Sequence, residues 1–332
     1  MRVVALEEHY SVPSLVAKIP ADVVVARGYP HPDAPSVRPQ IEANLVDLGE
    51  ARLRSMDEAG ITLQVLSTSG PGADLLPAAD GIAWARDVND FLAAQVAAKP
   101  DRYAGFAHLP LTAPEAAADE LERCVTKLGF HGTMVNGTTD GLFLDDPRFE
   151  PVLARAEALD VPIYIHPGIP PKAVRDSYYS ALNGPVSAVF ARAGWGWHAE
   201  TAVHILRLVL SGALDRHPKL QIVIGHQGEG LPAMLDRFHE VFAGATPSLL
   251  KRSVRQTILD QIHITTSGFY NVPSFVMLLQ IFGADRIMFS VDYPYSSNAT
   301  AAAFLKSLPV SPGDKAKIAH GNADKLLKLR TS

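Results

Sequence analysis

Glu7 and His9 stand two residues apart where a short apolar run, Val3 to Leu6, gives way to charge. On a strand, residues i and i+2 share a face, so these two side chains point together and Glu8 points the opposite way. A carboxylate beside an imidazole is half of a divalent-metal site. Alone, the stretch reads more readily as a strand end frayed into solvent, where acidic residues are common. Three later segments repeat the pattern of an apolar run ending in a group with metal or proton chemistry. They are Tyr164-Ile165-His166-Pro167-Gly168, Gly225-His226-Gln227-Gly228-Glu229-Gly230 and Ser290-Val291-Asp292-Tyr293-Pro294. Two imidazoles and two carboxylates, Glu7, His9, His166 and Asp292, suit one Zn2+ or Mn2+ with one or two open positions. His226 is then a further polar group beside the metal, free for proton work. Glu229 is placed to orient it and fix its tautomer, with a helix-start carboxylate as the plainer reading.

Such residues meet only if the strands that carry them share an end. Eight strand segments alternate with helical ones: Val3–Leu6, Ile61–Ser67, Tyr103–Leu109, Phe130–Val135, Val161–Ile165, Leu220–Gly225, Ile262–Thr266 and Arg286–Val291. Several are near-continuous apolar runs, as for parallel strands covered on both faces. The segment Pro114 to Leu128 carries Leu121, Cys124, Val125 and Leu128 at helical spacing, which places Cys124 in the core. Asp146-Pro147 reads as N-cap and first residue of another helix. The pattern predicts an α/β chain folded as a (β/α)8 TIM barrel over residues 1–332, with its site at the carboxyl ends of the strands. A doubly wound open sheet is the rival. Its first turn usually carries glycines for a nucleotide, and here that turn is Glu-Glu-His-Tyr. Long loops follow strands one and five. The proline-rich stretch Ser11 to Gln40 is predicted to be neither helix nor central strand and to wall the site. Pro167 to Pro185 is read as a second irregular stretch.

The chain has 332 residues, 47% of them apolar and 20% charged, so it can bury a large core. A net charge of −5 with no basic run argues against nucleic acid and anionic membranes as partners. One cysteine excludes an internal disulfide and a cysteine-based zinc site. Without a secretory pattern or an apolar run of bilayer length, a cytoplasmic protein is expected.

The motifs ALEEH (Ala5–His9), VPIYIHP (Val161–Pro167), ETAVHILRL (Glu200–Leu208), IVIGHQGEGLP (Ile222–Pro232), HITTSG (His263–Gly268) and GADRIMFSVDYPY (Gly283–Tyr295) resemble the amidohydrolase superfamily. Within it they are most similar to the ACMSD-like branch of metal-dependent decarboxylases, in particular the γ-resorcylate (2,6-dihydroxybenzoate) decarboxylase group. The resemblance implies one divalent metal held by Glu7, His9, His166 and Asp292. It implies a catalytic His226–Glu229 pair and a substrate contact from Arg237, which otherwise reads as a solvated helix residue. It implies a small aromatic acid as substrate and a homodimer or homotetramer as assembly. Strand four ends in Val135-Asn136, without a lysine to bridge a second metal. Gly168 and Tyr295-Ser296 depart from the group's usual residues, which bears on the substrate.

The mechanism expected from that resemblance is protonation of the carboxylate-bearing ring carbon by a protonated Asp292, followed by loss of CO2. A metal-dependent hydrolase of a lactone, ester or amide uses the same ligands. There Asp292 would deprotonate a bound water. A barrel that binds a ligand without catalysis is the third reading. Trp195, Trp197 and His198 are read as core or subunit interface.

Overall fold

The computed structural model describes residues 1–36, 38–246 and 248–329. Its strands are β1 (Val4–Tyr10), β2 (Leu63–Thr68), β3 (Tyr103–Gly105), β4 (Thr133–Asn136), β5 (Ile163–His166), β6 (Ile222–Ile224), β7 (Ile262–Thr265) and β8 (Ile287–Met288). All pair in parallel, in the orders β1-β2-β3 and β4-β5-β6-β7-β8. Single bridges Ala107–Thr133 and Glu8–Tyr293 join the two sheets at both seams, which closes the predicted (β/α)8 barrel.

Period-2 alternation sorts the strand residues into two cores. Val4, Leu6, Val65, Phe106, Met134, Tyr164, Val223 and Met288 fill the barrel. Their neighbours Ala5, Leu66, Val135, Ile163, Ile165, Ile224, Ile264 and Ile287 pack outward under the helices. β1 breaks the alternation. Ala5 pairs with Gln64 but Glu8 pairs with Leu66, so β1 carries one residue more than β2 across that interval. This β-bulge reverses the facing of everything after it. Val4 and Leu6 face inward, and so do Glu7 and His9, while Glu8 faces out.

Helices occupy both stretches predicted to be irregular. Pro13–Val16, Ala21–Arg27 and Pro39–Val46 follow β1, and Lys172–Val174 and Gly184–Phe190 follow β5. Pro13, Pro39 and Pro185 sit in the first turn of a helix and Pro20 and Pro171 just before one, where the first amides have no intrahelical partner and proline costs little, while Pro30, Pro32 and Pro35 lie between helices. Proline therefore marks helix starts here rather than excluding helices. Asp146 caps its turn as expected, accepting from the Arg148 amide, and Cys124 is buried. Arginines bind the two insertions together: Arg27 donates to the Ile169 carbonyl, Arg175 to Ala26 at 2.9 Å, and Arg192 to Gly28. Among the described residues no helix is long and apolar enough to cross a membrane.

Candidate metal centre

Strands β1 and β5 and the segment after β8 bring Glu7, His9, His166 and Asp292 together, with one ligand atom from each within 4.8 Å of all the others. Glu7 Oε1 lies 3.4 Å from His166 Nε2, and His9 Nε2 lies 3.3 Å from Asp292 Oδ1. Glu7 Oε1 and His9 Nε2 are buried with no hydrogen-bond partner among the described residues. Buried polar atoms normally find partners. Two such atoms aimed at one point fit a cation, and two carboxylates with two imidazoles suit a divalent ion. Burial, aided by the His9 ring beside it, holds His166 well below the usual histidine range, so it offers a neutral nitrogen.

Outer contacts fix the ligands. Glu7 Oε2 accepts from the Tyr164 hydroxyl, which also lies 2.7 Å from Thr265 Oγ1. His9 Nδ1 faces Ser67 Oγ at 3.4 Å. Gly225 leaves the space Glu7 occupies: a Cβ there would lie 2.5 Å from Glu7 Oε2. Asp292 adopts φ 69°, in the left-handed region that non-glycine residues avoid. Glu8 holds it there from outside the barrel. Glu8 Oε1 accepts from the Val291 amide at 2.8 Å and Oε2 from the Tyr293 amide at 3.2 Å, so the residues on both sides of Asp292 are held by their amides. Ser290 Oγ at 3.2 Å and Gln64 Nε2 at 3.3 Å complete its four donors. Reading Glu8 only as the residue on the other face missed this role; a second acid between two candidate ligands was the available signal.

His226 follows β6 and points Nε2 at the cluster, 3.7 Å from Glu7 Oε1 and 3.9 Å from Asp292 Oδ2. Its Nδ1 lies 2.7 Å from Glu229 Oε1. His226, Gln227 and Glu229 all have φ between 51° and 56°, so the turn that presents the pair is itself strained. Burial alone would strip the proton from His226, but Glu229 and Glu7 beside it outweigh burial and raise its affinity for the proton well above the ordinary value. Asp292 behaves oppositely. Burial pushes its carboxyl up, yet the His226 and His9 imidazoles beside it bring it down to about 2. The raised imidazole of His226 and the lowered carboxyl of Asp292 thus stand side by side, 3.9 Å apart at His226 Nε2 and Asp292 Oδ2.

Glu229 has a second imidazole. His198, in the first turn of the helix Gly196–Leu210, places Nδ1 2.5 Å from Glu229 Oε2 and Nε2 3.1 Å from the Ala193 carbonyl. The sequence suggests core or interface for it, and its partnership is invisible there because 31 positions separate it from Glu229. His198, His226 and Glu229 also form a compact group of possible ligands. Separations of 2.5 and 2.7 Å are hydrogen-bond lengths. Nitrogen and oxygen ligands around one tetrahedral ion stand about 3.3 Å apart. The three side chains are arranged as hydrogen-bonded partners. Trp195 is exposed. Arg237 lies in the second turn of the helix Leu231–Ala243, exposed and outside the cluster.

The amidohydrolase family pattern matches residues 31–329. The chain is 38% identical over 341 residues to a γ-resorcylate decarboxylase of Rhodococcus jostii (strain RHA1), covering 98% of each chain. A solved dihydroxybenzoic acid decarboxylase from Polaromonas sp. JS666, with bound manganese and the inhibitor 2-nitroresorcinol, matches with a TM-score of 0.86 at 36% identity, covering 100% of this chain and 98% of that one. A 5-carboxyvanillate decarboxylase from Sphingomonas paucimobilis matches with a TM-score of 0.91 at 32% identity, covering 99% of each.

Proposed function

The chain belongs to the amidohydrolase family, and from that membership and the geometry of the cluster we propose a metal-dependent, non-oxidative decarboxylase of a hydroxybenzoate-like aromatic acid. It is an enzyme of the carboxy-lyase type, as its relatives of 36–38% identity are. The observation that carries the reading is the convergence of Glu7, His9, His166 and Asp292. These four residues are the proposed ligands of one divalent ion, with manganese the ion seen in a relative. When bound, that ion supplies Lewis-acid charge and a template for adjacent phenolate and carboxylate oxygens.

The chain's own groups then handle the proton. His226 holds it on Nε2, with Nδ1 bonded to Glu229 so that the ring keeps its orientation. Asp292 Oδ2, 3.9 Å from His226 Nε2, is placed to receive the proton and pass it to the ring carbon that bears the carboxylate. The carbon–carbon bond to the carboxylate then breaks. Its electron pair restores the aromatic ring, and CO2 leaves. Arg237 is proposed as the contact for an arriving carboxylate. It stands on the exposed face of the helix Leu231–Ala243, in the segment that follows the His226–Glu229 turn. The homo-oligomer is supported by exposed Val186, Val189 and Phe190 on the helix Gly184–Phe190, and light scattering tests it.

The test of function is a panel of hydroxybenzoates and aromatic lactones given to the manganese-loaded protein. CO2 release from an ortho-hydroxybenzoate, with the lactones left intact, is the expected result. Lactone opening without CO2 release from any member would overturn the reading in favour of a hydrolase.

A further inference from the structure

Glu229 can orient His226 only if its own carboxylate is held. The terminal torsion of a glutamate is soft and nearly two-fold, so a single hydrogen bond leaves the group free to rock. Here both oxygens are engaged, Oε1 by His226 at 2.7 Å and Oε2 by His198 at 2.5 Å. The far nitrogen of His198 meets the Ala193 carbonyl at 3.1 Å. Each ring nitrogen of His198 therefore faces an oxygen that can accept from it. The ring also packs edge-on against His226, with centroids 4.9 Å apart, and against Phe269 at 5.2 Å.

Ala193 belongs to the insertion after β5, and its neighbour Arg192 donates to the Gly28 carbonyl in the insertion after β1. Hydrogen bonds, joined by the backbone between Arg192 and Ala193, therefore connect the two insertions through His198 and Glu229 to the ring beside the metal cluster.

We propose that His198 is a positioning residue: through the hydrogen bonds at its two ring nitrogens it fixes the carboxylate that orients His226 and ties that pair to the insertion after β5. The proposal rests on the role assigned to His226 above. It adds a group that acts on the reaction only through Glu229, and it makes docking of the insertion part of assembling the site. Outer partners of this kind typically change activity by about 10- to 100-fold.

His198→Phe keeps a ring against His226 and Phe269 while removing both hydrogen bonds. His198→Asn restores a donor near the position of Nδ1. In metal-free protein labelled with 15N-histidine, the parent is expected to show a low-field proton on His198 Nδ1 that is absent from His198→Phe. In manganese-loaded protein, His198→Phe is expected to lower kcat by about 10- to 100-fold, with KM within about twofold and metal content unchanged. His198→Asn is expected to recover kcat to within about fivefold of the parent. The proposal is overturned if no such proton appears in the parent, if His198→Phe keeps the parental kcat, or if the two variants are equally impaired. The proton signal needs no substrate. If no hydroxybenzoate is decarboxylated by the parent, the function assigned above fails, while the signal still decides whether His198 holds Glu229.

Discussion

Gly225→Ala adds one methyl group to the floor of the metal centre. Gly225 has φ −86°, which any residue adopts, so the backbone is not strained and only space matters. The new Cβ would lie 2.5 Å from Glu7 Oε2, 2.6 Å from Ser267 Oγ and 3.2 Å from the Tyr164 hydroxyl. Relief requires Glu7 or its neighbours to move by about half an ångström or more, against a tolerance of about 0.2 Å in metal–ligand distances. Neither neighbour yields easily. Glu7 Oε2 is hydrogen-bonded to Tyr164, and Ser267 Oγ accepts the His226 amide at 3.0 Å. Overpacking of this kind costs about 1–3 kcal/mol. With an unfolding entropy of about 0.7 kcal/mol/K for a chain this long, Tm falls by about 1.5–4 °C. Displacing a ligand weakens metal binding by at least about 10- to 100-fold, which is about 1.4–2.7 kcal/mol. Titration calorimetry of the metal-free protein with manganese and scanning calorimetry measure the two effects separately. Gly244→Ala is the control, because a Cβ there meets nothing within 4 Å. If Gly225→Ala bound manganese as tightly as the parent, Glu7 would not be a constrained ligand and the proposed centre would lose its first member.

Asp292→Asn is expected to abolish CO2 release beyond about a 1,000-fold loss, because an amide neither relays a proton nor replaces the anionic ligand; a variant with a tenth of parental kcat would refute the relay. Glu8→Gln turns an amino group toward two of the four donors that clamp Asp292, so metal affinity should fall about 10- to 100-fold. Competition with a chelator measures that affinity, and an unchanged value removes the clamp from the account. Arg237→Ala should raise KM for the aromatic acid severalfold at constant metal content, and steady-state kinetics with an unaltered KM would dismiss Arg237 as a substrate contact. Burial lowers His108 to about 4 and both His204 and His263 to about 3, and each accepts a hydrogen bond on its ring, from the Ala73 amide, the Leu144 amide and Arg286. Below about pH 6.5 the unfolded chain binds protons at these rings that the folded chain refuses, so stability should fall with pH, by up to about 1.4 kcal/mol per unit per ring. Urea unfolding at pH 7 and pH 5 checks this, and equal stabilities would contradict it.

Much of the molecule is legible in its residues. Apolar runs of strand length separated by amphipathic helices lead to a barrel, because a parallel strand covered on both faces has to be apolar throughout. The chemical types of Glu7, His9, His166, His226 and Asp292, each directly after such a run, mark the rim where strand ends converge. Proline content misled, because what matters is whether a proline stands in the first turn of a helix or inside it, and composition does not carry position.

Three features were settled only by tertiary packing. Alternation from Val4 and Leu6 would send Glu8 into the barrel and turn Glu7 and His9 outward. The extra residue in β1 reverses that facing, and a bulge is fixed by register against β2 rather than by any local pattern. The charges that surround each buried group are likewise set by packing: Glu229 and Glu7 raise His226, while His226 and His9 lower Asp292. His198 reaches Glu229 because two helices begin side by side above the same strand ends, a contact between segments that the linear order keeps apart.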